Sequence, residues 1–146
     1  MSRAVPSERT GFRLLRPLQT RWSDNDIYGH MNNVTHYLLF DTAINQWLIE
    51  RGLLDPHEGR LIGLVVETGC LYHGEAAFPD EITAGIGVER LGNSSVTYRI
   101  GLFRNDEVRA FADGRFVHVY VDRQSRKPSP LPAEWRRILE EIVIGQ

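Results

Sequence analysis

Two carboxylates, an imidazole and two amides lie within ten residues of one another, at Asp24, Asp26, His30, Asn32 and Asn33. A carboxylate can act as a general base or as a nucleophile, and a histidine or an amide can orient it or a water molecule. A helix cap requires only one such side chain. The cluster therefore indicates a reactive or binding site, with capping by Asp24 or Asp26 as the alternative interpretation.

The residues after this cluster predict a long amphipathic helix, from about Val34 to Arg51 and closed by Gly52. Apolar side chains recur at spacings of three and four residues, at Tyr37, Phe40, Ile44, Trp47 and Leu48. The first turn of a helix has unpaired N–H groups and roughly half a positive charge, which favour an anion or a developing oxyanion. The cluster is therefore expected at the end of the helix that can stabilise negative charge.

Strands are predicted before and after this helix along the chain. The first runs from Phe12 to Trp22, and Pro17 within it indicates an edge position or a bend. Four more, rich in Val, Ile, Tyr or Phe, are predicted at 61–73, 81–91, 94–104 and about 108–122. Short turns join the last four, which favours antiparallel pairing. The predicted fold class is α+β, with one long helix packed on a five-stranded antiparallel sheet.

The chain length predicts a single domain that spans residues 1–146. Residues 1–10 are polar, include Pro6 and are expected to be loosely ordered. The segment 133–146 follows the proline-rich stretch KPSPLP and begins with a predicted amphipathic helix, from Ala133 to Ile144. No internal repeat is visible.

Composition argues against several classes of function. Seventeen basic and 19 acidic residues give a net charge of −2, and the arginines are scattered, so neither nucleic acid nor a membrane surface is an expected partner. The single cysteine, Cys70, cannot form an internal disulfide, and no stretch is apolar enough for a signal peptide or a membrane span. A cytoplasmic location is expected. The histidines lack the spacing of metal ligands, so neither a metal nor a cofactor is predicted.

The segment DNDIYGHMNN and the helix after it resemble the hotdog-fold acyl-CoA thioesterases of the 4-hydroxybenzoyl-CoA thioesterase type. That family's pattern, D-x-D-x-x-G-H-x-N-N, is filled at every position, and the resemblance extends over residues 12–132. Two departures are Asp41, where many members have Glu, and the segment HGEAAFPD. The resemblance implies a hotdog fold, in which the sheet wraps around the long helix.

The resemblance also implies the hydrolysis of acyl-CoA thioesters to a free acid and coenzyme A. Asp26 would be the general base or the nucleophile, and backbone N–H groups near Asn33 would hold the oxyanion. His30 and Asn32 are candidates to orient water or Asp26, unless they only complete a hydrogen-bonded turn. Asp24 is assigned to structure. Asp41 is a second candidate catalyst, or else a structural acid that is buried or lies at a subunit interface. Glu67 is a minor candidate for the cleft.

Coenzyme A contacts are implied for Asn93, Ser94 and Ser95 in the LGNSS turn, with help from the arginines Arg90 and Arg99. Because active clefts of this fold lie between subunits, a homodimer or a dimer of dimers is expected, which would be a homotetramer. An acyl-carrier-protein thioesterase is one alternative, and a non-catalytic acyl-CoA-binding domain is another. Asp26 argues against the latter, since a binding domain needs no base. The acyl group stays open.

Overall fold

The computed structural model describes residues 4–145. Its elements follow the order that the sequence predicts: β1 (Leu14–Leu18), α1 (Asn33–Glu50), β2 (Leu61–Tyr72), β3 (Ile82–Leu91), β4 (Ser95–Arg104), β5 (Ala112–Asp122) and α2 (Ala133–Glu140). Short 3-10 turns occupy Arg9–Gly11 and Trp22–Asp24. No helix in this described range is long and apolar enough to cross a membrane.

The five strands form one antiparallel sheet in the order β1-β3-β4-β5-β2. Strands β1 and β2 are therefore its two edges, and Pro17 lies on an edge as predicted, where a missing N–H is tolerated. Strand β2 pairs with β5 along its whole length, with a shift of register between Val65 and Glu67. The predicted α+β architecture is confirmed.

Helix α1 packs on one face of this sheet through Phe40, Ile44 and Leu48, which are completely buried. The ring of Phe40 lies edge to face with that of Phe116 on β5, at 5.9 Å between centroids. The helix approaches closely because Gly114 faces Phe40, where an added Cβ would lie 2.6 Å from the ring. This packing fixes the position of the helix N-terminus relative to the ends of β2 and β5.

The ends of several elements differ from the prediction. Strand β1 is shorter because the chain turns at Trp22–Asp24, and β5 begins at Ala112 rather than near 108. Helix α2 ends at Glu140, since the residues after it pair with β3: Val88 N–H donates to Ile142 O and Ile144 N–H to Val88 O, both at 2.9 Å. The end of α2 is therefore determined by a long-range contact.

Part of the N-terminal segment, for which the sequence predicts loose order over residues 1–10, is hydrogen bonded to the rest of the chain. Ser7 N–H donates to the Asp113 carboxylate at 2.9 Å, and Arg9 N–H donates to Val108 O at 2.8 Å. Residues 1–3 of that expectation, and Gln146 at the other end, lie outside the described range.

Candidate functional site

The first turn of α1 has one backbone donor that the fold leaves unused. Asn32 is the N-cap, and its side-chain oxygen accepts a hydrogen bond from Val34 N–H at 2.9 Å. Its carbonyl oxygen accepts from Thr35 N–H at 2.9 Å. Asn33 N–H has no acceptor among residues 4–145. A donor at the positive end of the helix is therefore available to a ligand.

Asp24 has the structural role assigned to it from the sequence, although it caps the 3-10 turn and not α1. Its carboxylate is buried and accepts hydrogen bonds from the Arg21 guanidinium and from Arg21 N–H, both at 2.8 Å. Burial opposes ionisation, but these hydrogen bonds outweigh it and lower the pKa of Asp24 below its usual range. The carboxylate is therefore ionised, and its oxygens are hydrogen bonded to Arg21.

Asp26 has one carboxylate oxygen hydrogen bonded in the turn and one beside His30. Its Oδ1 accepts from Tyr28 N–H at 2.8 Å, and its backbone N–H donates to His30 O at 2.9 Å. Its Oδ2 lies 3.5 Å from Nδ1 of His30. The backbone contacts hold the carboxylate in place, so Oδ2 is the atom that can meet a reacting group. Capping of α1 by either aspartate is excluded because Asn32 has that role.

A cavity of about 620 Å³ opens at this end of the helix. Three of the four predicted catalytic residues line it: Asp26, His30 and Asn33. Asn32 is not a lining residue, and its side chain caps the helix. The other residues around it come from the turn, from α1 and from the end of β2: Tyr28, Met31, His36, Tyr72, Gly74, Glu75 and Ala76. None of these lining residues is Arg or Lys, so Arg90 and Arg99, the arginines expected to help bind coenzyme A, do not line this cavity.

His36, Tyr72 and Glu75 are wall residues that the sequence analysis did not select. His36 is buried, with Nδ1 at 3.1 Å from Asn32 O and its ring edge to face with Tyr72 at 4.9 Å between centroids. Burial lowers the pKa of His36 below its usual 6.5. Its position three residues after Asn33 was a usable signal, because residues at this spacing share a helix face. No sequence pattern indicates Tyr72 or Glu75. Tyr72 reaches the cavity through the pairing of β2 with β5, and Glu75 lies in the loop after β2.

The predicted coenzyme A contacts lie at the other end of the sheet. Ser95 pairs with Val119, whereas Leu102 pairs with Ala112 beside the cavity. Seven residues at about 3.3 Å each separate the two ends of β4 by roughly 23 Å. Within one chain, Asn93, Ser94, Ser95 and Arg90 therefore do not reach Asp26. Their turn is held by Tyr120 N–H on Ser94 O and by Leu131 N–H on Asn93 O, at 2.8 and 2.9 Å.

The remaining acidic candidates lie outside the cavity. Asp41 is exposed in the single chain rather than buried, and it accepts a hydrogen bond from the Asn45 amide at 3.1 Å. Its predicted alternative place, at an interface between subunits, stays a prediction. Residues 37 and 41 fall at the margin of the buried helix face, which centres on Phe40, Ala43 and Trp47. Glu67 is exposed on β2 and pairs with Arg115, and Arg99 pairs with Glu89 at 3.6 Å.

Neither thiol chemistry nor a metal cluster adds to the site. Burial raises the pKa of the Cys70 thiol to about 11, so it stays protonated at neutral pH and is a poor nucleophile. Within the part of the chain that the structure describes, no group of three or more His, Cys, Asp or Glu side chains is placed to hold a metal ion.

Comparison with protein families places this geometry in a known class. Residues 20–139 match the model of the thioesterase-like superfamily. The chain belongs to this superfamily, and it is a hotdog-fold enzyme of the thioester hydrolase class.

Individual relatives are similar to this chain over most of its length. The solved structure of the PA5185 protein from Pseudomonas aeruginosa strain PAO1 is 49% identical, with a TM-score of 0.92, over 96% of this chain and 98% of that one. A thioesterase from Thermus thermophilus, solved with coenzyme A and Zn, is 25% identical with a TM-score of 0.73, over 90% and 95% of the two chains. The uncharacterised protein YsmA of Bacillus subtilis (strain 168) is 25% identical over 119 residues, 82% of this chain and 80% of YsmA.

Proposed function

We propose that this protein hydrolyses acyl-CoA thioesters to a free acid and coenzyme A, with Asp26 as the catalytic carboxylate. The observation that supports this most directly is the cavity at the start of α1. The carboxylate of Asp26 and the helix residue whose N–H is unused, Asn33, both line it. Coenzyme A in the Thermus thermophilus relative supports coenzyme A as the carrier of the acyl group.

In this proposal the thioester carbonyl oxygen accepts a hydrogen bond from Asn33 N–H. Negative charge that develops on this oxygen is stabilised by the donor and by the positive end of α1. The leaving group is the thiolate of coenzyme A, whose thiol has a pKa near ~8.5, so departure requires little proton transfer to sulfur. The protein must mainly deliver an oxygen nucleophile to the carbonyl carbon.

Asp26 supplies or activates that nucleophile. It acts either as a general base on water or by direct attack, which would form an anhydride. His30 positions Asp26, because its Nδ1 lies 3.5 Å from Oδ2 and its carbonyl oxygen holds the backbone N–H of Asp26 at 2.9 Å.

We also propose that the working unit is a homodimer formed through strand β2. This edge strand has 12 residues, and several of its apolar side chains are exposed: Leu64, Val65, Val66, Leu71 and Tyr72. A long apolar edge offers unpaired backbone groups to another strand, and proteins usually cover such an edge. A second copy of β2 that pairs antiparallel across a twofold axis would supply partners for these backbone groups and would also cover the apolar side chains.

This pairing explains the separation between the catalytic cavity and the predicted coenzyme A contacts. In a twofold dimer, the Leu61 end of one β2 lies beside the Tyr72 end of the other. The turn with Asn93, Ser94 and Ser95 is at the Leu61 end of the sheet, because Ser95 and Leu64 both pair with Val119. The partner subunit therefore brings its own copy of this turn toward the cavity of the first chain.

Release of thiol from a panel of acyl-CoAs tests the proposed function. The natural protein is expected to turn over at least one member of the panel. Replacement of Asp26 by Asn keeps the shape of the side chain but removes its basicity, so kcat is expected to fall by roughly 10²- to 10⁴-fold. Circular dichroism of Asp26→Asn checks that the fold is retained.

The matched control is Asp41→Asn, the same chemical change at an exposed position on α1. Activity close to that of the natural protein is expected. A severe loss in Asp41→Asn together with normal turnover by Asp26→Asn would transfer the catalytic role to the helix acid. Binding of acyl-CoA without any thiol release would leave a binding domain as the function.

A further inference from the structure

We propose that His36 is a second catalytic residue, which accepts a hydrogen bond from the attacking water while Asp26 removes a proton from it. This inference rests on the proposed thioester hydrolysis and deepens it, since it selects direct attack by water over an anhydride. The proposal comes from the tautomer of His36, from the position of its ring in the cavity wall, and from the contacts of the other histidine in the site.

The tautomer of His36 follows from its hydrogen bond. Its Nδ1 lies 3.1 Å from the carbonyl oxygen of Asn32, which can only accept, so Nδ1 carries the proton. In a neutral imidazole the second nitrogen is then an acceptor. Nε2 has no hydrogen-bond partner among residues 4–145. The neutral form dominates at pH 7 because burial lowers the pKa of this histidine. His36 thus offers a fixed acceptor.

The position of the ring is fixed by its surroundings. The hydrogen bond from Nδ1 to Asn32 O holds one edge of the ring. The rings of Tyr72 and Phe111 lie edge to face with it, at 4.9 and 5.9 Å between centroids. His36 follows Asn33 by three residues, about one helical turn, so both lie on the side of α1 that borders the cavity. The acceptor therefore belongs to a residue that lines the space where the thioester carbonyl group would be held.

A water molecule that attacks a carbonyl carbon must point a lone pair at it. One hydrogen bond to Asp26 leaves the water free to rotate, whereas a second hydrogen bond to Nε2 of His36 fixes its orientation. Such orientation of a reactant contributes strongly to rate, because even a displacement of about 1 Å can reduce it on the order of 10²-fold.

The proposed step conserves atoms and charge as follows. The water oxygen forms a bond to the carbonyl carbon, one of its protons passes to Asp26, and the carbonyl electron pair moves to the oxygen held by Asn33 N–H. The second O–H remains hydrogen bonded to Nε2 of His36 throughout. The intermediate then expels the sulfur with the C–S electron pair, Asp26 returns its proton to the thiolate, and the product acid ionises.

His30 is less suited to this role because both of its nitrogens are directed elsewhere. Its Nδ1 lies 3.4 Å from Met31 O and 3.5 Å from Asp26 Oδ2, and its Nε2 lies 3.9 Å from the Glu75 carboxylate. These contacts place His30 beside Asp26, where it acts as a positioning residue. The ring of His36 instead donates to the backbone at the helix start, which leaves its Nε2 as the acceptor for water.

Two isosteric variants separate a catalytic from a structural role. His36→Asn retains an amide nitrogen where Nδ1 bonds to Asn32 O but has no acceptor at the position of Nε2. His36→Gln places an amide oxygen near the position of Nε2 but loses the bond to Asn32 O. We expect His36→Asn to lower kcat roughly 10- to 100-fold with KM nearly unchanged, and His36→Gln to retain most of kcat. The opposite order of the two variants would show that His36 is only structural and would overturn the proposal.

A single turnover of the natural protein in H₂¹⁸O tests the same proposal without any variant. Direct attack places ¹⁸O in the product acid of the first turnover. An anhydride that water opens at the Asp26 carboxyl carbon would instead place an oxygen of Asp26 in that product and the label in the Asp26 carboxylate, which would overturn the inference while hydrolysis itself stands. Failure of the natural protein to release thiol would remove the proposed function as well, so the two failures are distinguishable.

Discussion

Adjacent residues of the same type have different roles in this turn. Asp24 is buried against Arg21, whereas Asp26 lines the cavity. Asn32 uses its side chain to cap α1, whereas Asn33 contributes a backbone N–H. The position of a residue in the turn, rather than its type, therefore decides whether its polar group is used within the fold or is available to a ligand.

The role of Asn33 N–H can be tested by removal of that hydrogen alone. Asn33 is the first residue of α1, the position where proline is tolerated because its N–H has no helical partner. Asn32 already has the extended backbone that proline requires before it, with φ −64° and ψ 142°. We expect Asn33→Pro to lower kcat by roughly 10²- to 10³-fold, the usual effect of one lost oxyanion donor, with little change in the free energy of unfolding.

The control for this substitution is Asn33→Ala, which deletes the side chain but retains the N–H. Its kcat should remain close to that of the natural protein, since the Asn33 side chain is exposed. Steady-state kinetics and urea denaturation of both variants make the comparison. Equal losses of activity in the two would mean that the side chain, and not the backbone donor, contributes to catalysis.

Sequence could identify the turn but not the assignment of roles within it. Asp24, Asp26 and Asn32 are all residues that cap helices well. Which of them caps depends on backbone angles that are fixed only when the turn folds against Ala76, whose carbonyl oxygen accepts from Met31 N–H at 2.7 Å. His36 was missed because a histidine within an apolar helix face is more commonly a packed residue than a functional one.

At the scale of the elements, β5 has the alternation that its sequence predicts. Phe116, His118 and Tyr120 are buried on the inner face, and the hydroxyl groups of Tyr120 and Tyr98 are 2.7 Å apart. His118 is 2% exposed, with Nδ1 at 3.3 Å from the Tyr120 hydroxyl and no partner for Nε2 within the described chain. Burial lowers the pKa of His118 to about 4.

This burial predicts a dependence of stability on pH. In the unfolded chain His118 has a pKa near ~6.5, so between pH 6.5 and 4 the unfolded state binds a proton that the folded state does not. The free energy of unfolding should therefore decrease as the pH falls through this window, by about 3 kcal/mol at the lower end. Urea denaturation at a series of pH values, with protein concentration held constant, measures the decrease.

The variant His118→Phe isolates this contribution, because other groups also titrate in the same range. Phenylalanine retains a ring among Tyr98, Phe116 and Tyr120 and cannot bind a proton. The difference in stability between the variant and the natural protein should grow in favour of the variant as the pH falls from 6.5 to 4. Parallel pH profiles for the two proteins would exclude His118 as the source.

The order of the elements was predictable, but several of their ends were not. Hydrophobic periodicity located α1 within one or two residues, since Phe40, Ile44 and Leu48 must all reach the sheet. The end of α2 could not be predicted in this way. The apolar pattern continues through Ile142 and Ile144, but these residues pair with Val88 of β3 instead of extending the helix.

At the scale of the whole molecule, the exposed edge of β2 is where a second subunit would complete the proposed active site. The cavity lies at the Tyr72 end of this strand, and the predicted coenzyme A turn lies at the Leu61 end of the sheet. The sequence resemblance placed the catalytic turn and the coenzyme A turn in one site. It could not show whether they meet within one chain or between two chains, because a pattern of residues does not distinguish these cases. If β2 pairs with β2 of a second copy, activity must depend on the dimer.

A charge on the edge strand tests this dependence. Val66 lies at the register shift of β2 and is 60% exposed, so lysine at this position should not disturb the isolated fold. In a paired edge the same lysine would be desolvated beside its twofold-related copy, which disfavours association. We expect Val66→Lys to have the mass of a monomer by light scattering and to lose at least roughly tenfold in kcat/KM, although its Asp26 is intact. Val108→Lys makes the same change at a 57% exposed position away from this edge and should remain an active dimer. A fully active monomeric Val66→Lys would show that one chain forms the complete site.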